Sequence, residues 1–155
     1  MTYRFQTNRT LLGDYAEGLV FNFLKTKGEV TYSEDPYDDD EKDMIFEGHF
    51  NVEVKARSII FKYPIKNTFA IEENQWRKLD HPKTQTIFVN VPMSEHEKVN
   101  LYLLTDRNAY TLSRFAPTKP EHRFYHVDKM HKLYTYNNPN ITEKFVELNF
   151  SKYKS

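Results

Sequence analysis

Residues 35–57 read Asp35-Pro36-Tyr37-Asp38-Asp39-Asp40-Glu41-Lys42-Asp43-Met44-Ile45-Phe46-Glu47-Gly48-His49-Phe50-Asn51-Val52-Glu53-Val54-Lys55-Ala56-Arg57, and the fold turns on how they are parsed. A run of acids gives way to the apolar group Met44-Ile45-Phe46. A turn follows at Glu47-Gly48-His49, and the chain returns through Phe50. This pattern predicts two strands, 42–46 and 50–60, joined by a tight turn at Gly48. Strand alternation sets Glu53, Lys55 and Arg57 on one face and Val52, Val54 and Ala56 on the other. Carboxylates on two paired strands, Asp43 and Glu53, with a lysine two residues past the second, suit a divalent metal that serves phosphodiester hydrolysis. Magnesium takes hard oxygen donors, commonly one or two carboxylates plus waters and substrate phosphate. The backbone carbonyl of Val54 is a candidate third oxygen. The Lys55 ammonium either orients the attacking water and neutralises the phosphorus centre, or, partly desolvated, takes a proton itself.

Working outward, residues 10–27 repeat apolar side chains at helical spacing: Leu12, Tyr15, Ala16, Leu19, Val20, Phe23 and Leu24. Asn8 or Thr10 is the expected N-cap, and Gly28 stands where a left-handed C-terminal cap belongs. Glu17 falls on the border of the apolar stripe, beside a cleft at the edge of the core; Asp14 falls on the solvent side. Residues 29–33 alternate as a short strand. The acids at 35–41 form a solvated loop by composition, and an EF-hand is excluded because Asp43 and His49 stand where its glycine and glutamate belong.

Beyond the hairpin, Ile59-Ile60-Phe61 breaks the alternation, and Tyr63-Pro64 ends or kinks the strand. Residues 72–80 form a short helix with Trp76 and Leu79 inward, stopped by Pro82. Residues 86–91 and 99–105 are strands, with a polar loop at 93–98, and 108–115 is a further short helix. Residues 123–127, 132–136 and 144–150 are β-like and aromatic, and the role of 117–155 is open.

A chain of 155 residues with 39% hydrophobic and 15% aromatic content has enough apolar surface for one globular domain. Its 22 basic and 22 acidic residues cancel, which argues against non-specific coating of nucleic acid. Metal-binding acids would offset phosphate-facing cations in the same way. The absence of cysteine removes disulfides, thiol catalysis and cysteine zinc sites. No leader pattern opens the chain and no apolar run nears the roughly 20 residues of a membrane span, so the expectation is a cytoplasmic protein (host cytoplasm, if phage-encoded) with no membrane association.

Asp43 followed, after nine residues, by Glu53-Val54-Lys55 resembles the signature of the PD-(D/E)XK nuclease superfamily, which includes restriction endonucleases and Holliday junction resolvases. Glu17, within Gly13-Asp14-Tyr15-Ala16-Glu17, resembles the additional acid that resolvase-like members carry in the first helix. The order helix, strand, hairpin with the motif, helix, strand is followed by residues 10–91, a little over half of the chain. The resemblance implies a restriction-endonuclease-like α/β/α sandwich around a central mixed β-sheet, dependence on Mg²⁺ with Mn²⁺ as substitute, and nucleic-acid substrates, DNA foremost. Lys42 stands where a proline often precedes the first acid, and Asp39 or Asp40 is the alternative ligand if the first strand begins earlier. Some relatives place a glutamine and then a tyrosine in the following helix. Gln75 matches the first, and Leu79 replaces the second.

These features together predict a single-domain, metal-dependent DNA endonuclease, junction-resolvase-like in its choice of substrate, with Asp43, Glu53, Lys55 and Glu17 in the site and a homodimer as the expected assembly. The alternative is a catalytically silent protein of the same fold that binds nucleic acid or a protein partner. An unrelated α/β domain with an acidic surface loop is the blander option, because Glu-x-Lys on a strand is common by itself. Arg57, Lys119 and Arg123 are expected phosphate contacts, the last two within a patch interleaved with Phe124 and Tyr125. His122, His126 and His131 fit no strong metal spacing and are expected at the surface.

Overall fold

A computed structural model describes residues 9–32, 44–57, 67–91 and 98–137. The expectations placed on Asp43, on the acids at 35–41, on 58–66, on the loop at 92–97 and on 144–150 lie outside the described residues.

The first helix, α1 (Arg9–Lys25), buries Tyr15, Ala16, Leu19, Val20, Phe23 and Leu24, a stripe that returns every three to four residues as a 3.6-residue period requires. Its end is closed by the N–H groups of Lys27 and Gly28, which both donate to Leu24 O, and by Thr26 Oγ1, which donates to Phe23 O. Gly28 does not take the left-handed cap conformation: among the described glycines only Gly48 has a positive φ. Gly28 is small for another reason. A Cβ there would run into the Glu47 carboxylate and the Phe46 ring.

Strands β1 (Val30–Tyr32), β2 (Met44–Phe46) and β3 (Phe50–Arg57) form an antiparallel meander. Glu47 and Gly48, at φ of 55° and 71°, supply the two positive dihedrals of a tight hairpin turn, and the His49 N–H closes it on Phe46 O. A strand the sequence did not suggest, β4 (Thr68–Glu72), and the helix α2 (Glu73–Leu79) then carry the chain to β5 (Thr84–Asn90). β5 runs parallel to β3, with Glu53 beside Thr86 and Lys55 beside Phe88. β6 (Val99–Leu103) and β9 (His131–Tyr136) complete a six-stranded mixed sheet in the order β1-β2-β3-β5-β6-β9. β4, β8 (His122–His126) and β7 (Tyr110–Ser113) form a second, antiparallel sheet in the order β4-β8-β7.

The expected helix at 108–115 is β7 instead. The Asp106 carboxylate receives the Asn108 N–H at 3.0 Å and its carbonyl receives that of Ala109, so the segment opens with a turn. Tyr110-Thr111-Leu112-Ser113 then runs as a strand along Arg123 and its neighbours in β8.

Two cores follow from the strand alternation. On one face of the large sheet, Met44, Val52, Ile87, Val89, Val99 and Leu101 pack under the α1 stripe, with Val54 and Ala56 at the margin. On the other face Phe88 packs with Phe69, Ile71, Leu79, Leu104 and Tyr125. The fold is therefore mixed α/β around a central mixed sheet. Among the described residues the layer opposite α1 is the small sheet with α2, in place of a full layer of helices. Residues 117–137 are integral to both sheets through β8 and β9, and the Tyr136 hydroxyl donates to Leu19 O at 2.7 Å, tying β9 to α1. No described helix is long and apolar enough to cross a membrane.

Candidate active site

Even-numbered side chains of β3 are committed to the α1 core, which sends Glu53, Lys55 and Arg57 to the opposite face. There Lys55 Nζ lies 3.7 Å from Glu53 Oε1, with the carboxylate side chain 17% exposed and the lysine 31%. The pair is partly sheltered, with Glu53 Oε2 buried. Its significance is positional: an acid and an ammonium held together at a partly sheltered surface.

Arg57 continues the row and donates through Nη2 to Ala70 O at 3.1 Å, which ties β3 to the small sheet. On β5, Thr84 and Thr86 face the same side, both buried, and neither Oγ1 has a hydrogen-bond partner among the described residues. Thr86 is the residue beside Glu53 in the parallel ladder. The direction of the Val54 carbonyl also follows from the ladder. Asn51 N–H donates to Lys83 O and Arg57 O accepts from Val91 N–H, so odd-numbered backbone groups of β3 face β5. The carbonyl of Val54 therefore faces the β2 side.

Glu17 is half-buried on the flank of the α1 stripe, as the helical spacing predicts. Its helix covers the face lined by Val52 and Val54, so it stands on the other side of the sheet from the Glu53 carboxylate. Gln75 is on the exposed surface of α2, and Lys119 is exposed in the loop before β8. Arg123 has a different environment from the one expected. Its guanidinium pairs with Glu73 and lies over the rings of Trp76, at 3.9 Å, and Tyr110, at 4.8 Å, with 11% of the side chain exposed. Phe124 and Tyr125, expected beside it as stacking surface, are buried in the core. The histidines at 122, 126 and 131 belong to β8 and β9, and among the described residues no three acids or histidines gather as a metal-ligand group.

The oxygen donors present fit a hard cation. A sheltered carboxylate and a carbonyl turned toward the β2 side are the donor types magnesium prefers. The local sequence does not announce β4 and β7, and the small sheet they form with β8 meets β3 through Arg57, which donates to Ala70 O and lies 5.8 Å from the Phe115 ring centroid. No family model matches the chain, and no curated protein or solved structure does either.

Proposed function

We propose that the chain is a Mg²⁺-dependent DNA endonuclease of the PD-(D/E)XK type, selective for branched or junction-like substrates. The observation that carries this is the Glu53–Lys55 pair at 3.7 Å on the partly sheltered face of β3 opposite α1, the returning strand of a hairpin. The order α1, β1, β2–β3 hairpin, α2, β5 supports it, since it is the order expected of that superfamily, with β4 as an insertion. The β2–β3 register supports it too. Met44 pairs with Val52, and continuing the ladder by one residue would set Asp43 opposite Glu53.

In this proposal Asp43, Glu53 and the Val54 carbonyl hold the ion; Glu17, across the sheet from the Glu53 carboxylate, takes no part in it. Magnesium, when bound, supplies Lewis acidity and positive charge at the scissile phosphate. Lys55 presents its ammonium to the phosphoryl oxygens as their charge builds, and Arg57 meets a neighbouring phosphate. A protein of this size that cuts both strands of a junction acts as a homodimer in this reading, in the cytoplasm of its cell or host.

The test is incubation of the purified protein with supercoiled, linear, branched and single-stranded DNA, and with RNA, with and without Mg²⁺ or Mn²⁺. Cleavage that requires metal and vanishes in Lys55→Ala and Asp43→Asn is expected. Binding without cleavage under every condition would instead favour a silent protein of the same fold.

A further inference from the structure

We infer that Phe115 is a stacking platform for an unpaired base of the DNA strand that runs to Glu53 and Lys55. The inference rests on the nuclease proposal for the choice of ligand, and on separate geometry for the residue.

Phe115 is 39% exposed, and it is held from below. Its ring meets His122 at 4.9 Å and 79° and the fully buried Phe124 at 5.4 Å and 64°, both perpendicular contacts. His122 is fixed in turn by its Nδ1 hydrogen bond to Pro120 O. An aromatic ring immobilised in advance loses little entropy on taking a base. Among the described residues, the other exposed tyrosines and phenylalanines are employed elsewhere: Tyr32 stacks on Phe21, and Tyr134 packs against Phe23 and Tyr136. Those two lie on β1 and β9, the outer strands of the large sheet, against α1 residues.

Phe115 lies instead with the proposed site. The Arg57 guanidinium is 5.8 Å from its ring centroid, and Arg57 is on the same face of β3 as Lys55. Two residues along a strand span about 7 Å, the rise of about two nucleotides. The Arg57 guanidinium over the ring supplies the cation, while Arg114, the preceding residue, pairs with Glu121 at 3.9 Å. An aromatic ring beside a cation is a combination that binds single strands: the charge meets the backbone and every base offers a face to stack. A fully paired duplex keeps its bases inside the helix, so this surface selects DNA with an unpaired stretch beside the cut.

The test is fluorescence anisotropy of the full-length chain with a labelled oligothymidylate and a blunt duplex of equal length, in EDTA at fixed salt. Phe115→Ala is expected to weaken single-strand binding about 5- to 100-fold and to leave duplex binding almost unchanged. Phe115→Tyr, which keeps the ring, is expected to bind the single strand as the unaltered protein does. Equal single-strand affinity for Phe115→Ala, an equal loss on both ligands, or no single-strand binding by the unaltered protein would each overturn the inference. The two proposals fail separately. Ring-dependent binding without cleavage sinks the nuclease and keeps the platform, and metal-dependent cleavage by a protein indifferent to Phe115→Ala does the reverse.

Discussion

Tyr125 shows how a polar atom is carried into the second core. Its hydroxyl donates to Arg107 O at 2.7 Å and accepts from Trp76 Nε1, so a buried phenol is satisfied on both sides. Burial pushes its pKa up to about 12 from 10.0, although the Trp76 bond and the Arg123 charge pull the other way. The unfolded chain thus releases this proton at lower pH than the folded one. Stability should be level below pH 10 and should fall as pH rises from 10 towards 12. Urea denaturation across that range checks it, with a shallower fall in Tyr125→Phe; Tyr102 and Tyr136, also raised by burial, leave a residual slope. Thr86 makes the opposite case, a buried hydroxyl beside Glu53 without a partner among the described residues. Thr86→Val should raise stability by about 1 kcal/mol, or about 2–4 °C in a thermal melt. A lower melting temperature would mean that the hydroxyl serves a bound water or ion.

At the scale of elements, the β2–β3 hairpin does the positioning. Even-numbered backbone groups of β3 face β2, so Met44–Val52 is a hydrogen-bonded pair and the next step of the ladder would be a non-bonded one, where side chains approach most closely. With no native cysteine to interfere, Asp43→Cys combined with Glu53→Cys should close a disulfide under mild oxidation, read as loss of both thiols. If Asp40→Cys with Glu53→Cys closes instead, the first ligand has been assigned to the wrong acid. This hairpin was legible in the sequence because its signals are local: Gly48 for the turn, and alternation of Val52 and Val54 with Glu53 and Lys55. α1 was legible for the same reason. β4 and β7 were not. Phe69 and Ile71 are covered by β8, more than 50 residues away along the chain in the Ala70–Phe124 pairing, and nothing near them in sequence announces that cover. Arg123 was taken for a phosphate contact on equally local grounds, whereas its partner Glu73 is 50 positions distant.

Across the whole molecule, the large sheet separates two faces. α1 and the aliphatic core occupy the first. The second carries the core around Phe88 and, on β3, Glu53, Lys55 and Arg57, with the small sheet of β4, β8 and β7 on the same side. The Glu53–Lys55 pair is readable from its spacing on an alternating strand, but the contact of Arg57 with Ala70 O and Phe115 exists only once the small sheet has assembled. Glu53 is the more sheltered partner, with one carboxylate oxygen buried, so a thermal melt beside each assay separates loss of fold from loss of chemistry in its variants. Binding of a divalent ion by Asp43 and Glu53 together is tested by a Mn²⁺ titration followed by the electron paramagnetic resonance of the free ion. Uptake by the unaltered protein is expected, weakened about tenfold or more in Asp43→Asn and in Glu53→Gln and retained in Lys55→Ala. No uptake, or uptake indifferent to both carboxylate substitutions, would contradict it.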